Sequence, residues 1–164
     1  MTPADLLSRL GDRGLTVAVA ESLTGGRLAA SFTAVAGASQ VFRGGVVSYG
    51  TDVKRDVLGV SPALIDEQGV VSADVASQMA HGVRRLLAAD VALATTGVAG
   101  PDRQEGKPVG LVFVSLASQT HSAVRRLELS GDREAIQAAA CAGAIDLLSA
   151  WLEDRLSGEQ PPLR

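Results

Sequence analysis

Apolar residues recur along the chain in two rhythms, one with the period of a helix and one with that of a buried strand. Between positions 4 and 12, Leu6, Leu7 and Leu10 share one helical face, and Gly14 breaks the run. The run "LTVAVAE" reads as a buried strand. Helical spacing returns in "TGGRLAASFTAVAG", with Leu28, Ala29, Phe32 and Val35 in register, Thr24 as the expected N-cap and Gly37 as the stop. "GGVVSYG" reads as the next strand. Asp52 to Leu58 reads as a short helix, and Ser61 followed by Pro62 opens another, because proline is pre-organised for a first turn.

A longer helix is predicted from Ser72 to Ala88, with Val75, Met79, Val83 and Leu86 as its buried stripe and Arg84 and Arg85 complementing its carboxyl end. "DVALATTGVAGPD" continues as a buried strand running into a glycine-rich turn. "VGLVFVSLAS" and "HSAVRRLELSG" form a predicted hairpin, and Asp132 to Leu156 a long closing helix. Helices between the early strands and a late hairpin predict an α/β fold, a three-layer α/β/α sandwich with a mixed sheet. Residues 1–156 are expected to be a single domain and residues 157–164 a disordered tail. Small residues crowd the closing helix (Ala135, Ala138 to Ala140, Ala142 to Ala144), a surface on which a homo-oligomer contact is expected.

Composition narrows the function classes. Hydrophobic residues make up 46% and charged residues 20% of 164, which fits a folded domain and excludes a mainly disordered chain. The formal charge of −3 supplies no general attraction to nucleic acid, and an aromatic content of 3% leaves few stacking platforms, so no nucleic-acid partner is expected. Cys141 is the only cysteine, which excludes an internal disulfide and a CxxC redox pair. The first residues contain acids and no long apolar run, and no segment reads as a membrane span, so a cytoplasmic protein without a membrane partner is expected. His81 and His121 are isolated, and no metal site is expected.

Three stretches carry chemistry. "AESLTGG" places an acid, two hydroxyls and two glycines where a strand gives way to a helix, a place suited to binding phosphate or carboxylate or simply to a capped turn. "TTGVAGPD" repeats that arrangement at the end of a second buried strand, and the carboxyl ends of parallel strands share one crevice. Ser39, Tyr49 and Lys54 lie within one short stretch that lacks histidine. A serine and a desolvated lysine supply the nucleophile and proton acceptor that amide hydrolysis needs, with tyrosine to orient or relay. Spacing alone leaves open a surface lysine and a capping serine. Arg133, after the "SGD" helix start, faces either a ligand anion or Asp132.

"AESLTGG", "AGASQVFRGGVVSYGTDVK", "TTGVAGPD", "KPVG" and "SGDR", in this order, resemble the CinA C-terminal domain family across about Leu6 to Leu152. The resemblance implies an α/β/α sandwich, usually oligomeric, that hydrolyses the carboxamide of nicotinamide mononucleotide to nicotinate mononucleotide and ammonia without metal or organic cofactor. By position it implies Ser39, Tyr49 and Lys54 as catalytic, and Thr96 and Arg133 as family site positions. Thr24, Gly25, Gly26 and Arg133 are the candidates for phosphate and ribose, with Thr96 and Gly97 completing the substrate-binding set. Leu23 stands where the family commonly has cysteine, so no thiol acts there. "GAS" replaces the usual "GSS", and "DRQEGKPVG" lacks the paired glycines frequent after "PD". The alternative is a nucleotide-binding or regulatory module associated with competence and DNA-damage proteins.

Overall fold

Two strands are buried along their whole length: β1 (Val17–Glu21) and β3 (Val91–Gly97). Strands covered on both faces read as continuous apolar runs, and both lie inside a five-stranded sheet of order β2-β1-β3-β4-β5 in this computed structural model. The structure describes residues 1–158, with side chains described through Arg155. β2 (Phe42–Val47) and β3 each pair parallel to β1, whereas β4 (Leu111–Ser118) and β5 (Ser122–Glu128) form an antiparallel hairpin beside β3. The expected mixed sheet and α/β sandwich are therefore found.

Side chains alternate between the two faces of each strand. Val17, Val19, Val91, Leu93, Val112, Val114 and Leu116 face a layer of α1 (Pro3–Gly11), α2 (Arg27–Thr33) and α6 (Arg133–Gly158). Ala18, Ala20, Ala92, Ala94 and Ala117 face the opposite layer, where α5 (Ala73–Leu86) supplies Val75, Met79 and Val83, and α3 (Thr51–Asp56) and α4 (Pro62–Gln68) complete the cover. With so few aromatics, the fully buried Phe32 carries much of the first core. Its truncation to alanine costs about 3–5 kcal/mol.

Several boundaries differ from expectation. β2 begins at Phe42 and ends at Val47, so Ser48 and Tyr49 leave the strand. α2 starts at Arg27 with Gly26 as N-cap, in a left-handed conformation (φ 98°) that favours glycine, and Thr24 caps nothing. Leu86, expected in the buried stripe, is the last residue of α5 and is 51% exposed. α6 continues to Gly158, two residues into the expected tail, and the remainder of that tail lies outside the described residues.

α6 is also long and apolar enough, by composition, to cross a membrane, contrary to the expectation that no segment reaches that threshold. It serves as a core helix, with 56% of its most apolar window buried. Its small residues let it lie close to the sheet: a Cβ on Gly143 would stand 2.6 Å from a Leu127 methyl. Ala140 and Ala144 are buried, while Ala135, Ala138 and Ala142 are exposed.

Candidate active site

Parallel pairing of β1 with β2 places Glu21 beside Val47, so the residues just past each strand emerge at the same edge of the sheet. Ser22 lies just past β1. Ser48 and Tyr49 lie just past β2, and α3 then returns Lys54 toward that edge. The Lys54 ammonium nitrogen lies 3.0 Å from Ser22 Oγ, 2.7 Å from the Ser48 carbonyl oxygen and 3.4 Å from that of Tyr49. Ser48 is held in turn by Glu21, whose backbone carbonyl accepts from Ser48 N at 2.8 Å. Two residues 32 apart in sequence thus form a serine–lysine pair at the carboxyl ends of two parallel strands.

Lys54 is 1% exposed. Burial disfavours its charged form and lowers its pKa to about 8, while the more distant Glu105 carboxylate opposes the shift. The stereochemistry suits proton exchange. A neutral amine has two N–H groups and one lone pair; the two carbonyls take the N–H groups and leave the lone pair for the Ser22 hydroxyl. When protonated, the third N–H donates back to Ser22 Oγ.

The cleft above this pair has a volume of about 130 Å³ and is walled by Ser22, Leu23, Tyr49, the Gly97 to Gly100 turn, Asp102 and Arg133. Arg133, at the start of α6, donates to the Gly100 carbonyl at 2.7 Å and to the Tyr49 hydroxyl at 2.9 Å. The Asp132 carboxylate meanwhile accepts from Ala135 N in the first turn of α6. Tyr49 therefore serves Lys54 through its carbonyl, while its phenol reaches across the cleft mouth. The Gln104–Lys107 turn is pinned from outside. Glu105 accepts from Val70 N at 3.0 Å and Lys107 donates to the Gln68 carbonyl, so the loop without paired glycines has a defined course.

Other expected site residues lie elsewhere. Ser39 sits in a 3-10 turn (Ala38–Gln40) before β2, exposed beside Thr33, Phe42 and Arg43. A strand rises about 3.3 Å per residue, which puts Ser39 roughly 16 Å or more from Lys54 within this chain. Thr95 and Thr96 point to opposite faces of β3. The Thr95 hydroxyl meets that of Thr24 at 2.8 Å, and Thr96 donates to the Val70 carbonyl at 2.7 Å. Thr24 and Thr96 have no exposed surface and do not line the cleft, whereas Gly97 does.

Nor is the start of α2 an open anion site. Gly25 N bonds the Ser22 carbonyl, and Gly26 N, Leu28 N and Ala29 N all bond the Glu21 carboxylate. Thr24, Gly25 and Gly26 consequently shape the turn and offer no phosphate site. Ser22, which the sequence reading passes over, has one signal in "AESLTGG": it is the first residue beyond a buried parallel strand, where such sheets present their crevice. Among the described residues, no three His, Cys, Asp or Glu side chains converge as metal ligands.

The chain is thus a mixed α/β sandwich that sets a buried lysine against a serine at the edge where its parallel strands end. More particularly, the chain belongs to the CinA C-terminal domain family, whose pattern matches residues 2–152. It is 49% identical over 147 residues to a CinA-like protein of Frankia casuarinae, covering 90% of this chain and 34% of that one. A CinA-like protein of Geobacter sulfurreducens is 45% identical over 146 residues, covering 88% and 34%. The chain thus spans about a third of the length of these curated relatives. The crystal structure of a competence-damaged protein (CinA) superfamily protein from Enterobacter cloacae superposes with a TM-score of 0.88 at 31% identity, covering 93% of both chains. The competence/damage inducible protein CihA from Agrobacterium tumefaciens superposes with a TM-score of 0.84 at 36% identity, covering 92% and 95%.

Proposed function

We propose that the chain is an amidohydrolase that converts nicotinamide mononucleotide to nicotinate mononucleotide and ammonia, with Ser22 in place of Ser39 as its nucleophile. The observation that carries this reading is the 3.0 Å contact between Lys54 Nζ and Ser22 Oγ, made by a lysine whose pKa is lowered to about 8. Neutral Lys54 takes the hydroxyl proton as Ser22 Oγ bonds to the carboxamide carbon. The ammonium then passes that proton to the departing nitrogen, ammonia leaves, and an acyl-serine remains. Water gives a proton to Lys54 as it attacks the ester; the carboxylate departs and Ser22 recovers its proton.

Developing negative charge on the carbonyl oxygen needs preorganised donors. Within the turn, Gly25 N, Gly26 N and the first N–H groups of α2 are already used, whereas Leu23, which lines the cleft, has a backbone N–H with no acceptor among the described residues. It is the donor assigned to the oxyanion. Arg133, the guanidinium at the cleft, is assigned the phosphate, and Tyr49 holds both Arg133 and Lys54 in place. The choice of nucleotide rests on the sequence resemblance. A cytoplasmic homo-oligomer belongs to the same proposal.

Ammonia release from purified protein, compared among nicotinamide mononucleotide, nicotinamide riboside, nicotinamide and simple amides, tests it. Preferred release from the nucleotide is expected, and its loss in Ser22→Ala. Nucleotide binding without ammonia would instead place the chain with regulatory modules.

A further inference from the structure

Glu21 ends β1 with a side chain that has no exposed surface. A buried carboxylate persists only where donors satisfy it. Glu21 has three, all backbone: Gly26 N and Leu28 N at 3.0 Å from Oε2, and Ala29 N at 2.8 Å from Oε1. These belong to the amino end of α2, whose N-cap Gly26 offers no side chain to satisfy them. The protein thus supplies its own anion to this helix end. The same residue is clamped through its main chain, because its carbonyl accepts from Ser48 N at 2.8 Å and from Ser48 Oγ at 3.3 Å, and the next acceptor along, the Ser48 carbonyl, holds Lys54.

Ser22 therefore hangs between two anchorages of one neighbour. On one side Glu21 ties the turn to α2, and on the other it ties β1 to the segment carrying Lys54. Ser22 N completes the frame by donating to the Thr95 carbonyl at 3.0 Å. We infer that Glu21 is a positioning residue, whose carboxylate fills the amino end of α2 and so sets the Ser22 hydroxyl against Lys54. This rests on the reading of Ser22 and Lys54 as the reacting pair. Charge and geometry both matter. Glutamine has one acceptor oxygen and would turn an N–H₂ group toward backbone N–H groups, while aspartate keeps the charge and falls one methylene short.

The test uses the full chain and phenylmethanesulfonyl fluoride, which reports serine reactivity independently of the natural substrate. Ser22 Oγ bonds to sulfur, fluoride leaves, and Lys54 takes the proton; mass spectrometry and peptide mapping track the adduct. Wild type is expected to label at Ser22 and Ser22→Ala not at all. Glu21→Gln is expected to label about 100-fold more slowly, the penalty of a small misplacement of a reacting group, with the pH midpoint unchanged and Glu21→Asp intermediate. Equal rates for wild type and folded Glu21→Gln overturn the positioning role, whatever the melting temperature does. An unlabelled wild type overturns the nucleophile reading beneath it. If Glu21→Gln fails to fold, amide exchange of wild type decides: protection at Gly26, Leu28 and Ala29 comparable to β1 supports the clamp, and rapid exchange there overturns it.

Discussion

The two ends of β2 hold serines in opposite circumstances. Before the strand, Ser39 is exposed on a short turn and no hydrogen bond engages its hydroxyl among the described residues. Beyond it, the backbone of Ser48 and Tyr49 grips Lys54, which reaches across to Ser22 on the neighbouring strand. Ser39, Tyr49 and Lys54 are close in sequence, yet an extended strand separates the first from the others. Ser22 and Lys54 are distant in sequence, yet parallel pairing unites them. Closeness along the chain is thus a poor guide to a site wherever a strand intervenes.

The largest expected effect falls on the end of β2 that holds the pair. Ser22→Ala and Lys54→Met should each lower kcat by about 10³-fold or more, the scale on which loss of a nucleophile or general base acts. Lys54→Arg should be as inactive, because guanidinium does not release its proton in this range. Ammonia assays check all three, and activity within about tenfold of wild type would dissolve the pair.

The pH profile gives the next effect. Lys54 acts when neutral, so kcat/KM should rise as pH increases through about 8 and then level off. From about pH 6 to about pH 8 the neutral fraction grows about 50-fold for such a group. A profile falling over that interval would show that the protonated lysine is the active form.

Arg133 lies at the same cleft but away from the reacting atoms. Arg133→Ala should reduce kcat/KM for the nucleotide by about 10- to 30-fold while changing that for nicotinamide riboside less than about threefold, because only the phosphate is lost to it. Equal proportional losses would assign Arg133 to the scaffold, through Tyr49 and Gly100. The smallest effect belongs to the other end of β2. Ser39→Ala should stay within about twofold of wild type, since an exposed hydroxyl is removed from a turn. A Ser39→Ala enzyme without turnover would reverse the comparison and require the two ends of the strand to meet by a route outside this chain's own fold.

Much is legible from residue order. The apolar runs "LTVAVAE" and "DVALATTG" announce buried strands, and the stripe of Val75, Met79 and Val83 announces α5, because period and burial are local consequences of backbone geometry. Lys54 is legible as a base in need of desolvation, and Arg133 as a cation after a helix start. The sequence by itself determined the elements, the mixed sheet and the hydroxyls, amine and guanidinium available to a site. The tertiary structure decided which of them meet. Strand register brings Ser22 to Lys54, strand alternation turns Thr95 to Thr24 and Thr96 to Val70, and the Glu21 carboxylate takes the helix end that "TGG" offered to a phosphate. Each outcome depends on pairing between segments far apart along the chain, set by the packing of the whole sheet, which no local spacing encodes.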